Sequence, residues 1–336
     1  MADLHVTGEA QFPAQSSVLD ESALLDRILR DYAIEPAESC RFLERGDADA
    51  YRVKTLKAVY YLKVFRPPRA VAEAESEARF VSHLAEDGVP VVRAIRRLSG
   101  SYATPVYAGE GPRPILLFEE APAPLPKEIT LEQAAALGAT AARVHAHADA
   151  DDTPYDVPSL DLDAVAKRRV PHIRRFADEP DQRFMDTVIE WLRPRLSGIP
   201  LEAPDWGICH ADLVLSNVRD AAQPGGVTLF DFGGVSRTYR SYDLAVFYWS
   251  LGHRDLTRRK ERWEAFLDGY TSIRSLPSRL MEDLPALLAL RELVFLGGNA
   301  ATLPLRLGTE PFESTFMHDG FDRIRSILAD AAAIPY

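Results

Sequence analysis

The sequence predicts an α+β fold built in two parts, an antiparallel, strand-rich N-terminal part with one long helix and a mainly helical C-terminal part. Two observations carry this expectation. Up to Glu119, short runs rich in β-branched and aromatic residues alternate with turn signals, and only one long segment there has a helical period. Beyond Ala121 most periodic segments repeat every three to four residues, and Pro122, Pro124 and Pro126 mark the connector between the two textures. Residues 1–18 read as a loose tail, 19–120 as the β-rich N-lobe and 121–336 as the helical C-lobe.

Each element follows from local chemistry. Asp20 is placed to cap a helix reaching about Tyr32, with Leu24, Leu25, Ile28 and Leu29 on one face. Strands are expected over residues 40–43, 50–53 and 59–65, the last stopped by Pro67-Pro68. A helix over 70–87 ends at Gly88, and further strands are expected over 89–98, 103–108 and 114–119. Helices are then expected over 130–148, 178–196, 242–252, 259–270 and 281–296, interrupted by short strands around Val218 and over 227–232.

Composition narrows the function. A net charge of −11 in 336 residues argues against sequence-independent nucleic-acid binding, which needs a basic face. The two cysteines, Cys40 and Cys209, have no metal-ligand spacing and make no disulfide framework, which suggests a reducing cytoplasm. No secretory signal opens the chain, and the longest apolar stretch, 284–298, is interrupted by Arg291 and Glu292, so no membrane span is expected.

The strongest chemical signal lies between residues 208 and 243. It runs Ile-Cys-His210-Ala-Asp212-Leu-Val-Leu-Ser-Asn217-Val, then Val-Thr-Leu-Phe230-Asp231-Phe232-Gly-Gly, then Tyr242-Asp243-Leu-Ala. Two short apolar strands each deliver a carboxylate, and an asparagine follows the first at five residues. Phosphoryl transfer needs such a set: one carboxylate to orient the attacking hydroxyl and take its proton, and an amide oxygen with a second carboxylate to hold Mg²⁺ on a triphosphate.

These residues resemble the aminoglycoside phosphotransferase and choline-kinase-like branch of the protein-kinase superfamily, with its His-Gly-Asp-x-x-x-x-Asn loop and apolar-Asp-Phe metal motif. The likeness spans residues 22–329 and is nearest to the bacterial stress-response kinase and homoserine-kinase-like group, through the leading helix and Phe266-Leu-Asp-Gly-Tyr270. It implies a bilobal protein-kinase-like fold. It further implies Asp212 as catalytic base, Asn217 and Asp231 as Mg²⁺ ligands, and His210 and Asp243 as supports of the catalytic loop. Two departures stand out: Ala211 replaces the family's loop glycine, and Gly233-Gly234 follow Asp231 where many relatives carry another acid.

The resemblance also implies an upstream lysine for the α- and β-phosphates, and Lys63 stands on the 59–65 strand, alternating with Leu62 and Val64. Among Glu73, Glu75 and Glu77 on the next helix, Glu77 falls near the centre of the Ala74–Val81–Leu84 stripe and is the expected partner. The phosphate-covering loop is degenerate, with Gly46 alone, and adenine is expected against the connector from Glu119 to Ala121.

Other constellations have ordinary explanations. His145-Ala-His147 with Asp149, Asp151 and Asp152 has a metal-like look, but a packed helix end and a solvated acidic loop account for it. Lys167-Arg168-Arg169 with Arg174 and Arg175 reads as a solvated face, and Cys209 as a small core residue. The expected activity is transfer of the ATP γ-phosphoryl group to a hydroxyl of a small molecule: an amino sugar, aminoglycoside-like antibiotic, amino alcohol or sugar. Only eleven residues separate Asp231 from Asp243, too few for a long peptide-docking segment. The alternatives are a Ser/Thr protein kinase of the stress-response type and an ATP-binding pseudokinase scaffold.

Overall fold

The computed structural model describes residues 14–124, 128–221, 224–252, 256–302 and 316–330; most of the expected tail and Pro126 lie outside them. Contacts divide the chain into two units, Met1–Glu75 with Ile95–Phe118, and Ser76–Ala94 with Glu119–Tyr336.

In the first unit, β1 (Ala37–Arg45), β2 (Ala48–Thr55), β3 (Val59–Phe65) and β6 (Ile115–Glu119) form one sheet in the order β1-β2-β3-β6. The pairs β1–β2 and β2–β3 are antiparallel. Alternation puts Leu62 and Val64 into a core with Leu24, Leu29, Tyr32, Tyr51, Val53, Ile115 and Leu117. Asp20 caps as expected, accepting from the Ala23 N–H at 2.8 Å. The helix behind it is not uniform: it runs α1 (Glu21–Ala23), then a π-helical turn (Leu24–Ile28), then a 3₁₀ turn (Leu29–Asp31). A buried ion cluster also braces this unit, with Asp49 held by Arg113 and Arg66, each at 2.7 Å. β4 (Tyr107–Ala108) and β5 (Gly111–Pro112) form a small hairpin.

Helix α2 (Val71–Glu86) is as periodic as expected, and from Ser76 onward it belongs to the second unit, where Phe80, Val81 and Leu84 enter the core. The strand expected over 89–98 does not form. Pro90 has no N–H to give, and the segment makes separate bridges instead of a ladder, among them Val91 with Leu229 and Arg97 with Tyr32. Likewise 103–108 yields only a bridge at Thr104 and the short β4.

The second unit is mainly helical: α3 (Leu131–Ala150), α4 (Leu162–Arg168), α5 (Val170–Arg174), α6 (Glu179–Leu196), α7 (Arg240–Ser250), α8 (Leu256–Thr271), α9 (Leu280–Thr302) and α10 (Met317–Asp330). The reading from sequence missed α4 and α5, which are short and carry basic residues in their last turns, with Pro171 in the first turn of α5, and α10. Two short antiparallel ribbons lie among the helices. One pairs β7 (Trp206–Cys209) with β10 (Ser236–Tyr239), and the other pairs β8 (Val218–Asp220) with β9 (Val227–Leu229).

Helices α3 and α8 pack backbone to backbone through glycines. A Cβ on Gly138 would stand 1.9 Å from the Phe266 carbonyl oxygen, and one on Gly269 would stand 1.8 Å from that of Ala135. Helix α9 is long and apolar enough, by length and composition, to cross a membrane, but 67% of its most apolar window is buried inside the protein. It packs against α5, α6, α7 and α10 and serves as a core helix.

Candidate active site

The two ribbons set the chemistry in place. β7 delivers His210-Ala211-Asp212, and the loop returns through a 3₁₀ turn (Leu215–Asn217) into β8. β9 delivers Phe230 and Asp231, and a second 3₁₀ turn (Phe232–Gly234) leads into β10. Backbone bonds pin the second arm: Val92 N–H donates to the Leu229 oxygen at 2.9 Å, and Phe230 N–H to the Asn217 oxygen at 3.2 Å.

Asp212 has both carboxylate oxygens engaged. Asn217 Nδ2 donates to Oδ2 at 2.9 Å and to the Asp212 carbonyl at 3.0 Å, while Arg291 Nη2 meets Oδ1 at 2.8 Å. Arg291 comes from α9 and is buried, with its guanidinium 4.8 Å from the Trp249 ring centre. Tyr242 is buried beside it, and burial pushes its phenol up to about 12. Next to Arg291, Glu292 is held by Trp249 Nε1 at 2.6 Å and Arg323 Nε at 3.0 Å. The charges that interrupt the apolar pattern of α9 are thus both placed in ion pairs or hydrogen bonds.

His210 uses both ring nitrogens. Nε2–H donates to the Phe230 oxygen at 3.1 Å, and Nδ1 accepts from the Asp212 N–H at 3.3 Å, so the imidazole ties the two arms together. Its ring centre lies 4.4 Å from that of Phe232, which in turn packs edge-on to Phe80 of α2 at 6.3 Å.

Asp243, at the start of α7, braces the loop from below. Its carboxylate accepts from the His210 N–H at 2.9 Å and the Ala211 N–H at 2.6 Å. His145 of α3 approaches at 3.1 Å through Nε2, and its Nδ1 is 2.9 Å from the Tyr270 hydroxyl of α8. Burial drives the His145 pKa down to about 4, against the hydrogen bond to Asp243, so the ring is neutral. A neutral ring here donates from Nε2 to Asp243 and accepts at Nδ1 from Tyr270. Burial would raise the Asp243 carboxyl, but the hydrogen bond from His145 and those of the loop outweigh it and hold it below the usual carboxylate range. The α3–α8 glycine contact is what brings Tyr270 within reach of His145.

The two departures from the family pattern have visible physical consequences. Ala211 has φ +60°, in the left-handed region that glycine occupies without strain. Gly234 lies against the catalytic loop: a Cβ there would stand 3.2 Å from Asp212 Cβ and 3.3 Å from the His210 oxygen. Asp231 is also left-handed, at φ 59° and ψ 65°, and its carboxylate accepts from the Gly233 N–H at 3.3 Å.

The structure therefore brings together His210, Asp212, Asn217, Asp231 and Asp243 within the second unit. Glu77 belongs to the same unit and is fully buried on α2, as its place in the apolar stripe predicts. Glu119 is exposed at the end of β6, its N–H bonded to the Arg93 oxygen at 3.0 Å, and Ala121 follows half-buried. Lys63 and Gly46 belong to the first unit. Lys63 is opposite Ala50 on β3 with Nζ 4.9 Å from the Phe65 ring centre, and Gly46 turns between β1 and β2. Reading the sequence missed Arg291, His145 and Tyr270. The available signal was a charge inside an apolar helical stripe for Arg291, and the histidine and tyrosine of helices already assigned for the others.

This fold recurs in solved kinases. The amicoumacin kinase hAmiN, solved with AMP-PNP, Ca²⁺ and Ami, superposes with a TM-score of 0.77 at 19% identity, over 92% of this chain and 94% of that one. A microcompartment-associated aminopropanol kinase superposes with a TM-score of 0.70 at 22% identity, over 93% and 96% of the two chains. In sequence, an uncharacterised protein of Deinococcus radiodurans is 33% identical over 325 residues, 93% of this chain and 91% of that one. The model of the phosphotransferase enzyme family (APH) matches residues 39–276, and the chain belongs to that family. It is an enzyme, a phosphotransferase of the kinase type.

Proposed function

We propose that this enzyme transfers the γ-phosphoryl group of ATP, with Mg²⁺, to a hydroxyl of a small molecule such as an amino sugar, aminoglycoside-like antibiotic, amino alcohol or sugar. The observation that carries the reading is Asp212 held at both oxygens by Asn217 and Arg291, on a loop braced by Asp243. A carboxylate so fixed can orient an acceptor hydroxyl and take its proton, with no rotamer search at the moment of reaction.

Asn217 and Asp231 are the Mg²⁺ ligands in this reading. The donor set fits a hard cation: Asn217 spends its Nδ2 on Asp212 and would offer its amide oxygen, and Asp231 would offer carboxylate oxygen. Bound Mg²⁺ would offset the negative charge of the triphosphate. In the same reading Lys63 is the phosphate-binding lysine, and Glu77, Gly46, Glu119 and Ala121 are assigned to nucleotide binding. Arg291 adds a positioning role that the family pattern did not suggest.

The acceptor class is supported by the short path from Asp231 to Asp243, which is taken up by a 3₁₀ turn, β10 and the start of α7. The kinases of amicoumacin and aminopropanol share this architecture. The test is Mg²⁺-dependent ADP release over a panel of amino sugars, antibiotics, amino alcohols and protein acceptors, with the labelled product identified by mass spectrometry. A phosphate ester on a small molecule is expected. Label confined to protein would replace this reading with a Ser/Thr protein kinase, and tight ATP binding without any transfer would favour a pseudokinase.

A further inference from the structure

We infer that His83, His147 and Asp151 form a binding site for a zinc-class divalent transition-metal ion, apart from the catalytic loop. The three ligand atoms, one per residue, lie within 4.8 Å of one another. His83 Nδ1 is 3.2 Å and His147 Nε2 3.3 Å from Asp151 Oδ2. Ligands at zinc bond lengths of about 2.0–2.2 Å in a tetrahedron stand about 3.3–3.6 Å apart, so separations of 3.2 and 3.3 Å fall at the short end of a ligated set.

The protonation pattern points the same way. His147 Nδ1 is 2.5 Å from Asp87 Oδ2, so that nitrogen carries the proton and donates it to the carboxylate. With Nδ1 bonded to Asp87, the other ring nitrogen, Nε2, faces Asp151 Oδ2. Nε2 is buried and makes no hydrogen bond, and the side chain is 8% exposed. Two lone pairs facing each other at 3.3 Å need a cation between them, either a proton or a metal ion. A carboxylate holding the far nitrogen of a histidine is the outer-sphere arrangement that orients metal-bound imidazoles.

Placement adds a favourable field. His83 lies in the last turn of α2 and His147 in the last turn of α3, with Asp151 at the C-cap of α3. Two helix C-termini, each carrying partial negative charge, thus converge on the cluster alongside two carboxylates. Two imidazoles with one carboxylate select zinc or a neighbouring transition metal over Mg²⁺. Tyr155 completes the surroundings, its hydroxyl 2.7 Å from His83 Nδ1 and 2.5 Å from Asp151 Oδ2. Of the metal-like run His145 to Asp152, His145 serves Asp243, and Asp149 serves Arg240 and Arg274. His147, Asp151 and the exposed Asp152 are left; His147 and Asp151 group with His83, which comes from another helix. A bound ion would tie the segment after α3 to the end of α2.

The test uses the full chain stripped with a chelator, then titrated with Zn²⁺ against a chromophoric indicator. One Zn²⁺ per chain is expected, bound far more tightly than Mg²⁺, with a rise in Tm. His147→Gln and Asp151→Asn should abolish that binding, and Asp87→Asn should weaken it roughly tenfold to a hundredfold. Co²⁺ loaded into the unmutated chain should give intense tetrahedral d–d bands, which keeps the test open if the ligand variants misfold. No Zn²⁺ binding stronger than that of Mg²⁺, or binding untouched by all three variants, would overturn the assignment. A weak octahedral Co²⁺ spectrum would do so as well.

Discussion

Two histidines two residues apart on α3 have opposite fates. His145 is fully buried, neutral, and satisfied at both nitrogens, one by Asp243 and the other by Tyr270. His147 is satisfied at one nitrogen by Asp87 and turns the other toward an acid without a hydrogen bond. The difference separates structure from ligand binding better than residue type does. A buried imidazole with both nitrogens answered is a strut, and one with an unanswered nitrogen facing ligand-type atoms is a candidate for a cation.

If His145 and Asp243 are struts, removing them should cost stability in a graded way. Asp243→Ala leaves two buried N–H groups and His145 without their acceptor, and should cost about 3–5 kcal/mol in chemical denaturation. A loss below 1 kcal/mol would show that the loop holds itself, on the roughly 1 kcal/mol scale of a single net hydrogen bond.

The second effect is pH-dependent. His145 titrates near 6.5 when unfolded and near 4 in the fold, so the unfolded chain binds the extra proton between those values. Its contribution is complete above pH 6.5 and is lost as pH falls toward 4, on the order of 3 kcal/mol in total. His145→Gln should flatten that part of the stability profile, measured by urea denaturation from pH 7 to pH 4. An unchanged profile would mean that another group carries it.

Smaller effects sharpen the picture around Asp212. Arg291→Met keeps the bulk of the side chain but frees one carboxylate oxygen, and should lower kcat roughly tenfold to a hundredfold while Mg·ATP affinity holds. Ala211→Gly relieves the left-handed strain and, after allowing for glycine's freedom when unfolded, should raise stability by about 0.5–1 kcal/mol.

What was legible in the sequence follows a physical pattern. His210, Asp212, Asn217 and Asp231 lie in one short stretch, where the resemblance to the family picks them out, and the 59–65 strand and the buried position of Glu77 came from alternation and helical period. Arg291, Tyr270 and His145 reach the loop from three separate helices, and only the fold brings them there. The segment 89–98 looked like a strand because it carries the β-branched Val89, Val91, Val92 and Ile95, yet strand identity depends on a partner ladder that a single sequence does not show. The metal-like run after His145 read as a packed helix end with a solvated acidic loop, because the third ligand proposed above, His83, comes from α2 and spacing along one segment does not show it.

The central claim is a division of labour between two carboxylates, Asp212 for the acceptor and Asp231 for the metal-nucleotide. The most direct measurement is an equilibrium titration with ATP, in the presence and absence of Mg²⁺, on the unmutated chain, Asp212→Asn and Asp231→Ala, paired with turnover on the acceptor found in the panel. The account predicts that Asp212→Asn keeps Mg·ATP affinity while losing about 10²–10⁴ in kcat, and that Asp231→Ala loses the Mg²⁺-dependent part of binding itself. Near-normal turnover in Asp212→Asn, or unchanged Mg·ATP affinity in Asp231→Ala, would contradict it.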